Sequence, residues 1–197
     1  MTRFESVKYT QDDSNEWHET ITAAAKKFGR GFLARFSADF AERALPVWES
    51  RFPEYAQPRE AIAAARAWAE CPCEDHKADA DQCFRAVARA ADAADAAWNF
   101  TWLPPTDERY VWDPLTLVHA RGDPNRVYDP PIAGEFEAAG AARWAAATAY
   151  LDRLADAANA ALRASLDATW AVEDPDAERE WQRLRLAAYV LGEVAER

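Results

Sequence analysis

Residues 41–69 read AERALPVWESRFPEYAQPREAIAAARAWA, and this stretch predicts two helices joined by a short turn. Its first half has apolar residues at helical spacing. Pro46 lacks the N–H needed for the helical hydrogen bond, so we expect a kink or break at that point. Pro58 suits the first position of the second helix, whose apolar stripe runs to Trp68 and which Pro72 stops.

Helical spacing continues on both sides of this stretch. Apolar residues between Trp17 and Phe28 predict an earlier helix, which Gly29 and Gly31 are expected to end. The later helices are predicted over residues 84–98, over residues 135–170 as one helix or two in sequence, and from Asp174-Pro175 onward.

Length and composition favour one α-helical domain that spans residues 1–197. A chain of 197 residues can bury a substantial core. Alanine is abundant, favours helices and lets them approach closely, while nine tryptophans can fill the volume that alanine leaves. We expect an all-α protein, an irregular bundle or stack of about six or seven Ala-rich helices.

A Pro-rich inserted loop is predicted over residues 102–134, which contain six prolines. Within it, Asp113-Pro114 and Gly122 bracket a segment with the start and stop signals of a short helix. A hairpin that pairs residues 115–119 with residues 126–128 is the competing interpretation. Loops of this length are usually functional or disordered, and this one is too apolar for comfortable disorder.

Charge and residue usage exclude several classes of protein. A net charge of −11 disfavours nucleic-acid binding, which needs clustered Lys and Arg, and would oppose contact with an anionic membrane. No run of eighteen apolar residues occurs, and the N-terminus lacks the apolar core of a signal peptide. Three clustered cysteines fit a reducing compartment better than a disulfide framework. We therefore expect a cytoplasmic protein.

Residues 41–69 also resemble a family of proteins assigned to immunity in bacterial polymorphic toxin systems. The matching residues are Ala41, Glu42, Arg43, Leu45, Pro46, Pro53, Pro58, Arg59, Ala61, Ile62, Ala65, Arg66 and Trp68. The sequence departs from the family pattern at Gln57, where an Arg is expected, and at residues 70–73, where Glu-Cys-Pro-Cys replaces a short hinge. The Pro-rich loop has no counterpart in the family.

The resemblance implies an all-helical protein that binds a cognate toxin domain, without catalysis and without a cofactor. Acidic runs at helix ends, together with the Pro-rich loop, are the expected contacts, because carboxylates can pair with the Lys and Arg of a toxin. The candidate partner-binding residues are Asp12, Asp13, Glu16, Tyr110, Trp112, His119, Arg121, Glu173, Asp174 and Asp176.

Two other functions stay open at this point. A small helical enzyme could use the Pro-rich loop as a lid, with His119 and Asp113 moving a proton beside Arg121. No phosphate-binding loop, nucleophile elbow or zinc-protease motif supports that alternative. The third possibility is a helical scaffold or interaction module that pairs through exposed aromatic residues.

Cys71, Cys73, His76 and Cys83 form the most unusual group of side chains in the sequence, because thiolates and imidazole are zinc ligands. Their spacing matches no common zinc motif. Pro72 is also expected to restrict how the first two thiols converge, and Cys83 can be explained as a small apolar core residue. The sequence-based expectation is therefore no stoichiometric zinc.

Overall fold

The structure is a computed structural model that describes residues 11–102 and 133–192, with side chains described over 15–94 and 134–192. Those two ranges contain helices and no strand, which confirms the all-α prediction. The helices are α1 (Gln11–Phe28), α2 (Arg30–Arg51), α3 (Gln57–Glu70), α4 (Glu74–Trp102), α5 (Ala133–Tyr150), α6 (Leu154–Ala171) and α7 (Pro175–Leu191). None of the helices in these ranges is both long enough and apolar enough to cross a membrane.

Several helix ends follow the sequence signals. Gly29 separates α1 from α2 with φ +81°, a conformation that side chains disfavour, although Gly31 lies inside α2 instead of ending α1. Pro58 lies in the first turn of α3, as predicted. The carboxylate of Asp174 accepts a hydrogen bond from the backbone N–H of Ala177 and caps α7.

Other boundaries correct the sequence predictions. The sequence predicts a kink or a break at Pro46, and the break does not occur, because α2 continues through this residue. Pro46 is exposed, so water can bond the carbonyl group that the proline leaves without a partner. Helix α4 begins at Glu74, ten residues before its predicted start, because residues in its first two turns are largely solvent-facing and weaken the apolar stripe. The predicted loop bounds at Trp102 and Gly134 both fall inside helices. The short helix or hairpin predicted within the loop lies outside the described residues.

Residues 135–170 form two helices, which settles the choice between one and two. The Arg30 guanidinium donates to the Ala149 carbonyl oxygen at 2.8 Å, so α2 supplies a partner for the last turn of α5. Lys77 of α4 binds Asp152 in the α5–α6 connection at 2.6 Å. These two contacts fix the end of α5 and the short connection that follows it.

Helix α5 occupies the centre of the bundle and contacts α2, α3, α4 and α6. Alanine side chains allow this, because a helix surrounded by other helices has no polar face to offer. Its buried alanines are Ala138, Ala139, Ala141, Ala142, Ala145, Ala146, Ala147 and Ala149.

Helix α2 supplies the large side chains of the core. Phe32, Phe36 and Phe40 follow one another along it, with ring centroids 5.2 Å and 4.3 Å apart. Tyr189 of α7 meets the first two rings edge-on, and Trp48 is fully buried further along the helix. The large side chains of the core thus lie on α2, the helix that contacts the Ala-rich helices α5 and α6.

A buried polar network fixes α7 against its neighbours. Glu178 and Gln182 are both 1% exposed, and Arg43 of α2 binds Glu178 at 2.8 Å. Ser165 of α6 donates to Gln182 at 2.6 Å and accepts a hydrogen bond from the indole of Trp17 at 2.9 Å. Buried polar groups with partners favour one register of packing, so this network sets the position of α7.

We predict that Trp68→Ala lowers the free energy of unfolding by about 3 to 5 kcal/mol, because it empties a large buried aromatic site. Trp68 is 6% exposed, packs with Ala34, Ala80 and Ala149, and has the Arg30 guanidinium 4.7 Å from its ring centroid. Urea unfolding measures the loss. Trp170→Ala is the matched control, since Trp170 is 47% exposed. Equal losses in the two variants would contradict the core role of Trp68.

Candidate functional site

Only part of the predicted partner-binding set lies where the structure describes side chains. Tyr110, Trp112, His119 and Arg121 lie outside the described residues, and so do the side chains of Asp12 and Asp13. The described members are Glu16 on α1 and Glu173, Asp174 and Asp176 at the start of α7, all of them exposed.

The acidic residues at the start of α7 mostly serve the helix itself. Asp174 caps the helix by accepting from Ala177 at 2.9 Å, and Asp176 pairs with Arg179 at 3.0 Å. Negative charge at a helix N-terminus is favourable with the helix dipole. Intrahelical contacts therefore occupy Asp174 and Asp176, and Glu173 is the exposed acid of the three that lies outside them.

A groove of about 390 Å³ runs between α3 and α4 on the outer surface. Alanines of α3 form its floor together with Cys83, while Glu60 and Asp79 are exposed at its edges. Neither Lys nor Arg lines the groove where the structure describes it. Burial raises the pKa of the Cys83 thiol, and the negative charges of Glu60 and Asp79 raise it further, so the groove has an acidic field.

A second groove of about 360 Å³ lies between α2 and α3, and both of its arginines, Arg59 and Arg66, are paired with carboxylates. Arg66 forms a two-pronged pair with Glu42 at 2.6 and 2.8 Å, which lowers the pKa of that carboxyl. Arg59 lines the same groove and pairs with Glu49 at 2.6 Å. Of the two grooves, the α3–α4 groove therefore suits a cationic partner better.

The α3–α4 connection brings three of the four metal-ligand candidates together. The sulfurs of Cys71 and Cys73 and a ring nitrogen of His76 all lie within 4.8 Å of one another. The thiol contact with Cys73 raises the pKa of Cys71, and Pro72 does not keep the two thiols apart as the sequence suggested. Cys83 does not belong to this group.

Sequence reasoning missed Asp39, which joins three helices. Asp39 is 9% exposed on α2 and accepts hydrogen bonds from Arg66 of α3 at 3.1 Å and from Arg185 of α7 at 2.8 Å. The Tyr189 hydroxyl donates to it at 2.8 Å, and burial followed by the charge of Asp39 raises the pKa of that hydroxyl. The sequence does contain a signal for this site, since Asp39 lies between Phe36 and Phe40 of an apolar stripe and a buried carboxylate needs charged or hydrogen-bonding partners.

A second buried carboxyl lies between α5 and α6. Burial raises the pKa of Asp167 to about 7, and the negative charge of Glu137 adds to the shift. Gly140 makes room for this carboxylate, because a Cβ there would collide with Asp167 Oδ2. Perturbed carboxyl groups often mark active sites, but this one is held at a tight helix contact and lines neither the α3–α4 groove nor the α2–α3 groove.

The two grooves and the Cys71–Cys73–His76 group lie on α2, α3 and α4. The same part of the chain resembles a known protein family. Residues 23–100 match the family described as "Imm-5 like putative immunity protein". The match confirms the resemblance found at residues 41–69 and extends it from the end of α1 through most of α4, somewhat less than half of the chain. Comparison with curated proteins and with solved structures found no match. We call residues 23–100 the immunity-family region.

We predict that Asp39→Ala costs about 2 to 4 kcal/mol of stability, because it leaves Arg66 and Arg185 without the carboxylate that both bind. Guanidine unfolding measures the loss. Glu49→Ala removes the exposed ion pair with Arg59 and should cost less than about 1 kcal/mol. If Asp39→Ala were no more damaging than this control, Asp39 would not join the three helices.

We predict that the free energy of unfolding of Asp167→Asn, measured relative to that of the wild type, is higher at pH 8 than at pH 4 by on the order of 2 to 4 kcal/mol. The folded pKa of Asp167, about 7, lies above its ordinary value of 3.8. Its contribution is thus fully present below pH 3.8 and lost as the pH rises through 7, whereas Asn does not titrate. Thermal or urea unfolding at several pH values compares the two proteins. Parallel stability profiles would contradict the shift.

Proposed function

We propose that this chain is a cytoplasmic immunity protein that binds and neutralises one cognate toxin domain of a bacterial polymorphic toxin system, acting as a single helical domain and without catalysis. The observation that carries this proposal is the family match over residues 23–100. An immunity protein works by occupying a surface of its toxin, so it needs a complementary face rather than a catalytic centre.

The charge of the chain supports a basic partner. A net charge of −11 would speed the encounter with a cationic toxin, and the effect would weaken as salt is added. Toxins that act on nucleic acids carry the clustered Lys and Arg that such binding requires. Carboxylates that cover these Lys and Arg residues would keep the nucleic-acid substrate from binding to the toxin.

The α3–α4 groove is our preferred contact surface. It belongs to the immunity-family region, and Glu60 and Asp79 are exposed at its edges with no ion-pair partner among the described residues. A Lys or Arg side chain entering the groove would meet these two carboxylates over an apolar alanine floor. Glu16 and Glu173, at the acidic helix ends, are the second candidate contact.

Co-expression with the toxin domain encoded beside this chain tests the proposal. We expect growth to be rescued, and we expect purified protein to inhibit the toxin with an endpoint of one chain per toxin domain. A stoichiometric endpoint is the mark of binding, whereas a catalytic antagonist would protect at a small fraction of the toxin concentration. Failure both to bind and to rescue growth would reject the immunity function.

Three matched double variants locate the contact surface. Each of them replaces two exposed carboxylates by lysine and so reverses their charge. The groove pair is Glu60→Lys with Asp79→Lys, the helix-end pair is Glu16→Lys with Glu173→Lys, and the control pair is Glu54→Lys with Glu180→Lys. We predict that the groove pair weakens toxin affinity more than tenfold, about 1.4 kcal/mol, beyond the control pair. Calorimetry measures the affinities. A larger loss in the helix-end pair would move the contact to the acidic helix ends.

A further inference from the structure

The α3–α4 connection is a tight turn built around its two cysteines. Cys71 ends α3 by donating its N–H to the Ala67 carbonyl oxygen, and Cys73 donates to the Cys71 carbonyl oxygen at 2.8 Å. The Cys73 carbonyl oxygen accepts from the Lys77 N–H at 3.0 Å, so Cys73 is the N-cap residue that directly precedes α4. His76 lies in the first turn of α4. Backbone hydrogen bonds therefore hold the three side chains on one short turn.

The spacing of the ligand atoms suits a tetrahedral metal ion. The two sulfurs and the imidazole nitrogen lie within 4.8 Å of one another. Two thiolates bound to one zinc ion stand about 3.8 Å apart, given Zn–S bonds of about 2.3 Å. Side-chain rotations of Cys71, Cys73 and His76 can bring the ligand atoms from this spacing to that of a zinc site, because Cys71 is exposed and the other two are only partly buried.

His76 is already oriented by the same turn. Its Nδ1 lies 2.9 Å from the Cys71 carbonyl oxygen, and in the Nδ1–H tautomer it donates this hydrogen bond. Histidines that bind metals commonly donate their second ring N–H to a carbonyl or carboxylate, which fixes the ring and the tautomer. The remaining ring nitrogen then keeps its lone pair for a metal.

The chemistry of the ligands selects the ion. Thiolates and imidazole prefer zinc and other soft or borderline cations, whereas calcium and magnesium require oxygen ligands. Cys73 stands at the N-terminus of α4, where the helix dipole stabilises the negative charge that two thiolates bring. We propose that Cys71, Cys73 and His76 bind one zinc ion and fasten the end of α3 to the start of α4.

Cys83 cannot complete this site. It follows His76 by seven residues on α4, two helical turns or about 10 Å along the axis, and its sulfur is not among the ligand atoms that cluster at the turn. Among the described residues three ligands come together, and a tetrahedral zinc ion takes water or another group at its fourth position. Cys83 consequently offers a matched control, a thiol on the same helix that takes no part.

Metal titration of the reduced full-length protein tests the proposal without using any toxin. Co²⁺ serves as a coloured probe, because thiolate coordination gives an intense near-ultraviolet band, and displacement by Zn²⁺ measures the zinc affinity. We expect one zinc per chain in the wild type. Cys71→Ser, Cys73→Ser and His76→Ala should each weaken binding at least tenfold, and Cys83→Ser should leave it unchanged.

A second measurement guards against variants that merely misfold. Zinc should raise the melting temperature of the wild type and of Cys83→Ser, but not that of Cys73→Ser, while circular dichroism shows that the metal-free variants keep their helices. Wild-type binding weaker than that of free cysteine would overturn the proposal. Retention of stoichiometric zinc by the triple variant of Cys71, Cys73 and His76, or loss of zinc in Cys83→Ser, would overturn it as well.

Discussion

The fold depends on the close approach of four helices to α5. A helix surrounded by α2, α3, α4 and α6 must be narrow, and alanine is the smallest side chain that still favours helix. Buried alanines therefore occupy most of α5 from residue 138 to residue 149, while its larger residues, Phe136 and Trp144, lie at the margins of the core. Gly140 extends the same constraint, since even a methyl group there would collide with Asp167. Interior packing at crystal-like density leaves little room for larger side chains along this surface.

The alanines at the centre of the bundle bury little apolar area per residue. Other contacts must therefore supply a large part of the free energy that stabilises the fold. Part of it comes from α2, whose aromatic row fills the space that alanine leaves. Another part comes from charge-assisted hydrogen bonds that are specific in direction: Asp39 joins α2 to α3 and α7, and Glu178 joins α2 to α7. Alanine surfaces are smooth and allow helices to slide past one another. The buried polar contacts specify a register that apolar packing alone would leave open.

The sequence predicted the helices better than it predicted how they are joined. Local signals sufficed at Pro58 and at Asp174, because proline and an N-cap act within one turn. The sequence was insufficient where tertiary contacts decide: α2 runs unbroken through Pro46 on its solvent side, and the end of α5, which the sequence left open, has Arg30 as its partner. Among site residues, the exposed acids could be named from the sequence, but Asp39 could not, since its arginine partners lie 27 and 146 positions away. The convergence of Cys71 and Cys73 was likewise hidden, because it depends on the backbone of a turn rather than on ligand spacing.

The immunity-family region ends before α5, yet α2, α3 and α4 all pack against that helix. The inward faces of α2, α3 and α4 are consequently determined by the alanine-rich centre, where few substitutions fit. Their outward faces have no such constraint, and it is there that the acidic α3–α4 groove and the Cys71–His76 turn are found. If the chain binds a toxin as proposed, the surface that meets it can vary on these outward faces without disturbing the core. The fold thus separates the residues that hold the bundle together from those available to meet another protein, and α3 and α4 carry both kinds on opposite sides.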